Sequence, residues 1–442
     1  MSVKSICAGL MLAILAVGPG LAAPEIKIAD NVFVVPDPKA KVVTLYMIVR
    51  AGCRDEEGGQ CRGLAHYLEH LVFLGRSAAP TDGDSAFAAG QTNAFTTMEV
   101  TSYYQSIPVR EASLARDLDS LFGLFAKRLT GVDMEPDVAA RERNVVLQEY
   151  NFRRAGSIRT KFYRDLNTRL QPTHPVSQAV IGARSDIEAF SLEAAQKFHS
   201  RWYGKNNVTF VLYGPVGENE IKPLVAKYFD PLPTKKIPSR NWLDARRNFE
   251  PMDETLQASD PEAQRQEVLL EKIVRLEESD PQTADNATAI LFDYLNSQIS
   301  GSLWDIFVEE KRMATSVRIS STSFGEGVFW ASVSATLEDG TSPEAMKSGI
   351  ETYLAELAKR GVDSSVVERM KRRRSIAYAD VSKDPKRVLS SLTGWFAGLR
   401  THSEWLERSD VLASVTPARI QLLLDALAGP GRQVFGILSP KK

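Results

Sequence analysis

His66 and His70 stand four residues apart in the stretch HYLEHLVFLG, residues 66–75, with Glu69 directly before the second histidine. On a helix, residues four apart share a face, so both imidazoles can reach one ion. Glu69 falls at the edge of that face, where it can touch a metal-held water without being a ligand. Zinc held by two neutral imidazoles and one carboxylate keeps a fourth position open and lowers the pKa of its water to roughly 7. A carboxylate beside that water can take its proton and later return it to a leaving amine, which is the chemistry of peptide-bond hydrolysis. Coincidence is the competing account: with five His in 442 residues, a random chain of this composition contains the pentad with a probability of about one in a hundred.

A catalytic zinc needs a third protein ligand. The segment ARERNVVLQEY offers Glu142 and Glu149, seven residues apart and therefore on the same side of a helix. Val145 and Val146 between them fit a packed helix whose glutamates point into a site. For two glutamates taken alone a solvated helix face is the simpler reading, and spacing does not select the ligand.

The elements that must position these groups can be read coarsely. Leu64, Leu68, Leu71 and Val72 give the histidine helix an apolar side, so it is anchored in a core and armed on the opposite face. Strand-like stretches rich in Val, Phe, Tyr and Thr begin at Val42, Asn207, Gln266 and Val328, with helical stretches between them. The Pro-, Lys- and Arg-rich stretch at 231–251 has neither period and reads as a linker. It divides the chain into similar halves, and AKRLTGVDMEPDVAARERNVV from Ala126 is echoed by AKRGVDSSVVERMKRRRSI from Ala358. The expectation is an α+β chain of two homologous α/β domains, each a sheet with helices packed on it, produced by internal duplication. Its boundaries are a signal peptide over 1–22, a first domain over 24–233, a linker over 234–252 and a second domain over 253–442. Whether the sheets are parallel or mixed does not follow from periodicity.

Hydrophobic content of 43% and charged content of 25% describe an ordinary globular chain with material for two cores. A formal net charge of −1 gives no reason to expect nucleic acid. The basic run at Arg369 to Arg374 sits in a helical pattern and reads as a solvated face. The N-terminus has one lysine, an apolar stretch from Ile6 to Val17, a Gly-Pro-Gly break and small residues, the layout of a signal peptide cleaved after Ala22 or Ala23. Its apolar core is too short for a membrane span, and export to the periplasm is expected. Cys7 leaves with that segment. Cys53 and Cys61 remain, either as a disulfide or as two free thiols; as zinc ligands they lack two further partners.

The chain resembles the pitrilysin-like metallopeptidases, the inverted zincin family, and is similar to the zinc-bearing subunit of its two-subunit bacterial members and of mitochondrial processing peptidase. His66, Glu69 and His70 match the family's His-x-x-Glu-His motif, Phe73-x-Gly75 continues it, and Glu142 and Glu149 match its downstream Glu-x6-Glu pattern. The resemblance implies one zinc ion per chain held by His66, His70 and Glu149, Glu69 as catalytic base, and Glu142 orienting a ligand from behind. GQTNAFTTMEVTSYY from Gly90 looks like the family's strand beside the zinc, an edge that can pair with an extended peptide. Asn93, Ala94 and Phe95 are the substrate-binding residues this implies. The stretch from His174 also follows the family pattern. His174, His199 and His402 have no zinc role in it and read as structural or surface residues.

Active single-chain members carry an Arg and a Tyr in the second half that hold substrate and steady the tetrahedral intermediate. Here Glu309 and Thr315 stand at those places, and neither supplies the missing group. Arg312 and Arg318 are the possible substitutes. The implied partners are a short or unfolded peptide substrate and a related subunit that lacks the zinc motif but supplies the Arg/Tyr pair. A non-catalytic structural or peptide-binding subunit of the same fold is the alternative.

Overall fold

The computed structural model of this protein describes residues 25–74, 87, 89–154, 157–171, 179–240, 250–276, 281–325 and 327–441. The expected signal peptide, Gly75, His174 and linker positions 241–249 lie outside the described residues.

Val-, Phe- and Tyr-rich stretches form the strands, as their branched and aromatic side chains favour. β1 (Ile26–Ala29), β2 (Val32–Pro36), β3 (Val42–Val49), β4 (Thr92–Thr96), β5 (Thr101–Pro108) and β6 (Val208–Gly214) make one sheet in the order β1-β2-β6-β3-β5-β4. β7 (Met252–Asp260), β8 (Glu267–Arg275), β9 (Ala314–Gly325), β10 (Val328–Leu337) and β11 (Arg432–Pro440) make the second, in the order β7-β11-β8-β10-β9. Both sheets are mixed. β2 runs parallel to β6 as β7 does to β11, and the other pairs between equivalent strands are antiparallel in both. Apart from β1, the second sheet repeats the first strand for strand, which is the duplication the sequence echo implies.

The first half carries α1 (Leu64–Leu74), α2 (Leu114–Thr130), α3 (Pro136–Arg154), α4 (Ile158–Leu170), α5 (Arg184–Glu188), α6 (Leu192–Trp202) and α7 (Glu218–Leu224). The second carries α8 (Pro281–Leu295), α9 (Pro343–Arg360), α10 (Ser364–Val381), α11 (Pro385–Ala397), α12 (His402–Ser414) and α13 (Pro417–Ala428). The echoed sequences fall on α2–α3 and α9–α10. Among the described residues no single helix is long and apolar enough to cross a membrane. The last residue of the expected linker, Met252, opens β7, and Arg240 within the linker is anchored by a bond from its Nε to Asp55 Oδ1 at 2.7 Å.

The central strands of each sheet, β3 and β6 in the first and β8 and β11 in the second, are buried on both faces, and the outer face is covered there by a helix from the other half. Val388, Leu392 and Phe396 of α11 pack on Phe33, Val35, Ile48 and Val211 of the first sheet. Phe162, Leu166 and Leu170 of α4 pack on Leu269, Ile273, Trp330 and Val434 of the second. Gly436 in β11 permits this approach: a Cβ there would lie 2.8 Å from a Leu166 methyl and 3.0 Å from the Phe162 ring. Arg159 forks onto Glu267, and Arg432 Nε donates to the Leu170 carbonyl at 2.6 Å, so the exchange is fixed by polar contacts as well.

Candidate active site

The histidine stretch is a helix because its apolar residues recur at helical spacing. Leu68, Leu71 and Val72 are fully buried against the first sheet. At its start Gly63 has φ 98°, and a Cβ there would meet the Ile181 carbonyl oxygen at 2.2 Å, so this turn needs glycine. Glu56 accepts the backbone N–H of Arg62 at 2.8 Å, just ahead of the helix, and that of Ala65 at 2.9 Å, a donor that the first helical turn leaves free. The loop carrying Glu56 is closed by a disulfide between Cys53 and Cys61. Tyr67 donates its hydroxyl to the Ala139 carbonyl at 2.8 Å and so ties α1 to α3.

This packing brings His66, His70 and Glu149 together: one ligand atom from each lies within 4.8 Å of the others. Glu149 Oε2 is 3.6 Å from His66 Nε2 and 3.6 Å from His70 Nε2. Ligands about 2.0–2.1 Å from a tetrahedral zinc stand roughly 3.3 Å apart, so the spacing fits one ion among them. Glu149 Oε2 is buried and accepts no hydrogen bond from the described residues, whereas Glu149 Oε1 pairs with Arg153. A buried carboxylate oxygen facing two imidazole nitrogens without bonding either is the arrangement a cation would complete.

Burial, with His70 and Arg153 nearby, pushes the His66 imidazole down to about 3, so it presents a lone pair and no competing proton at neutral pH. His70 Nδ1–H donates to Glu142 Oε1 at 2.6 Å, which leaves Nε2 directed at Glu149. Glu69, buried beside the pair, accepts from Thr96 Oγ1 at 2.5 Å. Burial raises its carboxyl above the usual carboxylate range, which makes it a better proton acceptor.

β4 is the edge strand of the first sheet, and Asn93, Ala94, Phe95 and Thr96 line the same cavity of about 590 Å³ as His66, Glu69, His70, Glu142 and Glu149. Phe95 is 43% exposed at that edge. Thus every site residue expected from the sequence is brought to one place. Sequence reasoning missed Thr96, Arg153 and Val180, which also line the cavity. Arg153 had a signal, since it follows Glu149 by one helical turn. Val145, expected to pack, is 46% exposed and walls the cavity, while Val146 is fully buried.

No residue of the second half is among the described residues lining this cavity. Glu309 accepts from Trp304 Nε1 at 3.1 Å and Thr315 donates to the Thr336 carbonyl at 3.3 Å. Arg312 and Arg318 are exposed on the second half, away from the cavity lining. His199 is buried, with Nε2–H donating to the Arg128 carbonyl at 2.9 Å, and His402 Nε2 lies 3.0 Å from Glu25 Oε1; both are structural.

Comparison with known proteins bears on the family and the fold. The family model for Insulinase (Peptidase family M16) matches residues 31–166, and that for the Peptidase M16 inactive domain matches residues 189–374. The zinc protease PqqE of Helicobacter pylori is 30% identical over 198 residues, which is 44% of this chain and 43% of that protein. The chain spans less than half the length of the curated relatives it matches in sequence. A solved protease from Helicobacter pylori superposes with TM-score 0.72 at 20% identity, over 94% of this chain and 99% of that one. The periplasmic protease PqqL from Escherichia coli does so with TM-score 0.75 at 16% identity, over 95% of this chain and 47% of that one. Those two likenesses carry the fold, and the family models carry the kinship. Sequence motif, duplicated architecture and matched models together place the chain in the pitrilysin-like M16 peptidase family.

Proposed function

We propose that the protein is a zinc-dependent endopeptidase that acts on short or unfolded peptides as the zinc-bearing subunit of a heterodimer in the periplasm. The observation that carries this reading is the convergence of His66, His70 and Glu149 beside Glu69 and an open sheet edge. One zinc ion held there supplies a Lewis acid that polarises a carbonyl and lowers the pKa of a water to about 7. Around it, β4 binds the substrate backbone as an added strand, with Asn93, Ala94 and Phe95 in contact. Glu69 takes the proton of the attacking water and passes it to the leaving amine. Thr96 holds Glu69 in place, and Glu142 fixes the ring orientation of His70. In this reading the zinc-binding peptidase domain occupies 24–233, a linker 234–252 and a homologous domain without the zinc motif 253–442, with a signal peptide over 1–22 removed on export.

The partner is inferred from what the cavity lacks. Its described lining includes no second-half Arg or Tyr to steady an oxyanion, and a related chain without the zinc motif would supply both. The same lack, with the match to an inactive-domain model, favours a second reading as a non-catalytic or peptide-binding subunit. Cleavage of unstructured peptides by the exported chain, with and without its co-purified partner and with and without a chelator, separates the two. The first reading expects chelator-sensitive cleavage that rises at least tenfold with the partner and is abolished by Glu69→Gln; the second expects no cleavage in any arm.

A further inference from the structure

A second cavity, of about 950 Å³, adjoins the metal site. Arg153 lines both cavities, and the 179–181 segment is shared between them, with Val180 facing the metal site and Ala179 and Ile181 facing its neighbour. The second cavity is walled by the disulfide-closed loop, the end of α3 and one side of α4. Tyr150, the residue after Glu149, and Arg153, one helical turn beyond Glu149, both line it. A peptide residue spans about 3.3 Å in an extended chain, so a residue two or three positions from the bond above the metal site reaches it.

The lining is basic. Arg62, Arg153 and Arg164 border the cavity against a single acid, Asp186, and Tyr163 and Asn167 add polar groups. Arg153 is engaged by Glu149, but among the described residues neither Arg62 nor Arg164 is paired with a carboxylate. Two guanidiniums that border one open cavity without carboxylate partners among the described residues, with donors beside them, match a carboxylate, which accepts from arginine in a two-pronged fashion. An apolar side chain would offer them no acceptor, and a cationic one would be repelled.

We propose that this cavity is a specificity subsite that takes a carboxylate of the bound peptide, with Arg62 and Arg164 as its recognition residues. The proposal rests on the peptidase reading, because it needs a peptide lying along β4. The carboxylate comes from an acidic side chain near the scissile bond or from the peptide's own C-terminus, and the two sources are separable.

The test measures equilibrium binding by fluorescence anisotropy with the full zinc-loaded chain carrying Glu69→Gln, which prevents turnover. The probes are labelled unstructured peptides identical except for Glu or Gln at one of several positions, each as free acid and as C-terminal amide. A Glu peptide should bind about tenfold more tightly than its Gln counterpart, and the ratio should fall to within twofold in the Arg62→Gln/Arg164→Gln variant, with zinc content unchanged. A tenfold preference for free acid over amide, lost in the same variant, supports the subsite with the chain terminus as its ligand. Equal binding of Glu and Gln peptides at every position and of acids and amides, or a preference that survives the double substitution, overturns the subsite and leaves the peptidase reading standing. Absence of both zinc and peptide binding overturns that reading and the subsite with it.

Discussion

His70 Nδ1 lies 2.6 Å from Glu142 Oε1, so a glutamate seven residues before Glu149 on the same helix fixes the tautomer of a histidine on another helix. The Nδ1 proton is held by the carboxylate, and the Nε2 lone pair is turned to the space shared with His66 and Glu149. Behind-the-ligand partners of this kind typically change metal affinity by roughly 10–100-fold when removed. Glu142→Gln should therefore weaken zinc binding by about that factor in a chelator competition while leaving the fold intact. Unchanged affinity would show that His70 is oriented by other contacts.

The disulfide between Cys53 and Cys61 closes a short loop whose Glu56 holds the start of α1. By loop entropy such a link contributes about 2.5 kcal/mol. Cys53→Ser/Cys61→Ser should lower the urea-unfolding free energy by about that amount, with the larger effect at α1 visible as faster amide exchange there. A loss below about 0.5 kcal/mol would contradict this role.

Glu271 is buried in the second sheet, where Ser332 Oγ donates to it at 2.9 Å and Trp330 Nε1 donates as well. Burial pushes its carboxyl up to about 7. Because the folded value exceeds that of the unfolded chain, about 4.5, the stabilisation is fully present below pH 4.5 and is lost as pH rises through 7. The loss is at most about 3 kcal/mol. Thermal unfolding followed between pH 5 and 8 should show this decline, and Glu271→Gln should flatten it. An identical pH profile in the variant would refute the assignment.

Because α4 and α11 each seal the other half's sheet, the halves should unfold together. Leu166→Ala removes a fully buried side chain from α4, at a cost of about 2–5 kcal/mol. Calorimetry should give one transition in the parent chain, and the variant should lower it as a whole although the substitution is in the first half. Two separate transitions, with only one moved, would contradict the interlocked packing.

Local period made α1 legible. Leu68, Leu71 and Val72 had to face a core, so His66 and His70 had to face away from it together. The four strands read from Val42, Asn207, Gln266 and Val328 are present, because a run of branched and aromatic residues reports strand character directly. Pairing direction left no such mark, and the mixed sheets emerged only from the structure. The apolar faces of Phe162–Leu166 and Val388–Leu392 say that α4 and α11 are buried but not against which sheet, so the exchange of helices was invisible. Glu149 could not be chosen among many acids by spacing; family resemblance pointed to it, and Glu149 Oε2 stands between the two imidazoles. Val145 and Val146 are about 100° apart on their helix, which is why one packs and the other walls the cavity.

The central claim is that His66, His70 and Glu149 hold one zinc ion and Glu69 does not. Metal stoichiometry by mass spectrometry on the purified chain tests it most directly. The account predicts one zinc per chain in the parent and in Glu69→Gln, and less than about a tenth of that in Glu149→Gln and His70→Ala, all four being folded by circular dichroism. A parent chain that binds no zinc, or a Glu149→Gln chain that keeps its full complement, would contradict it.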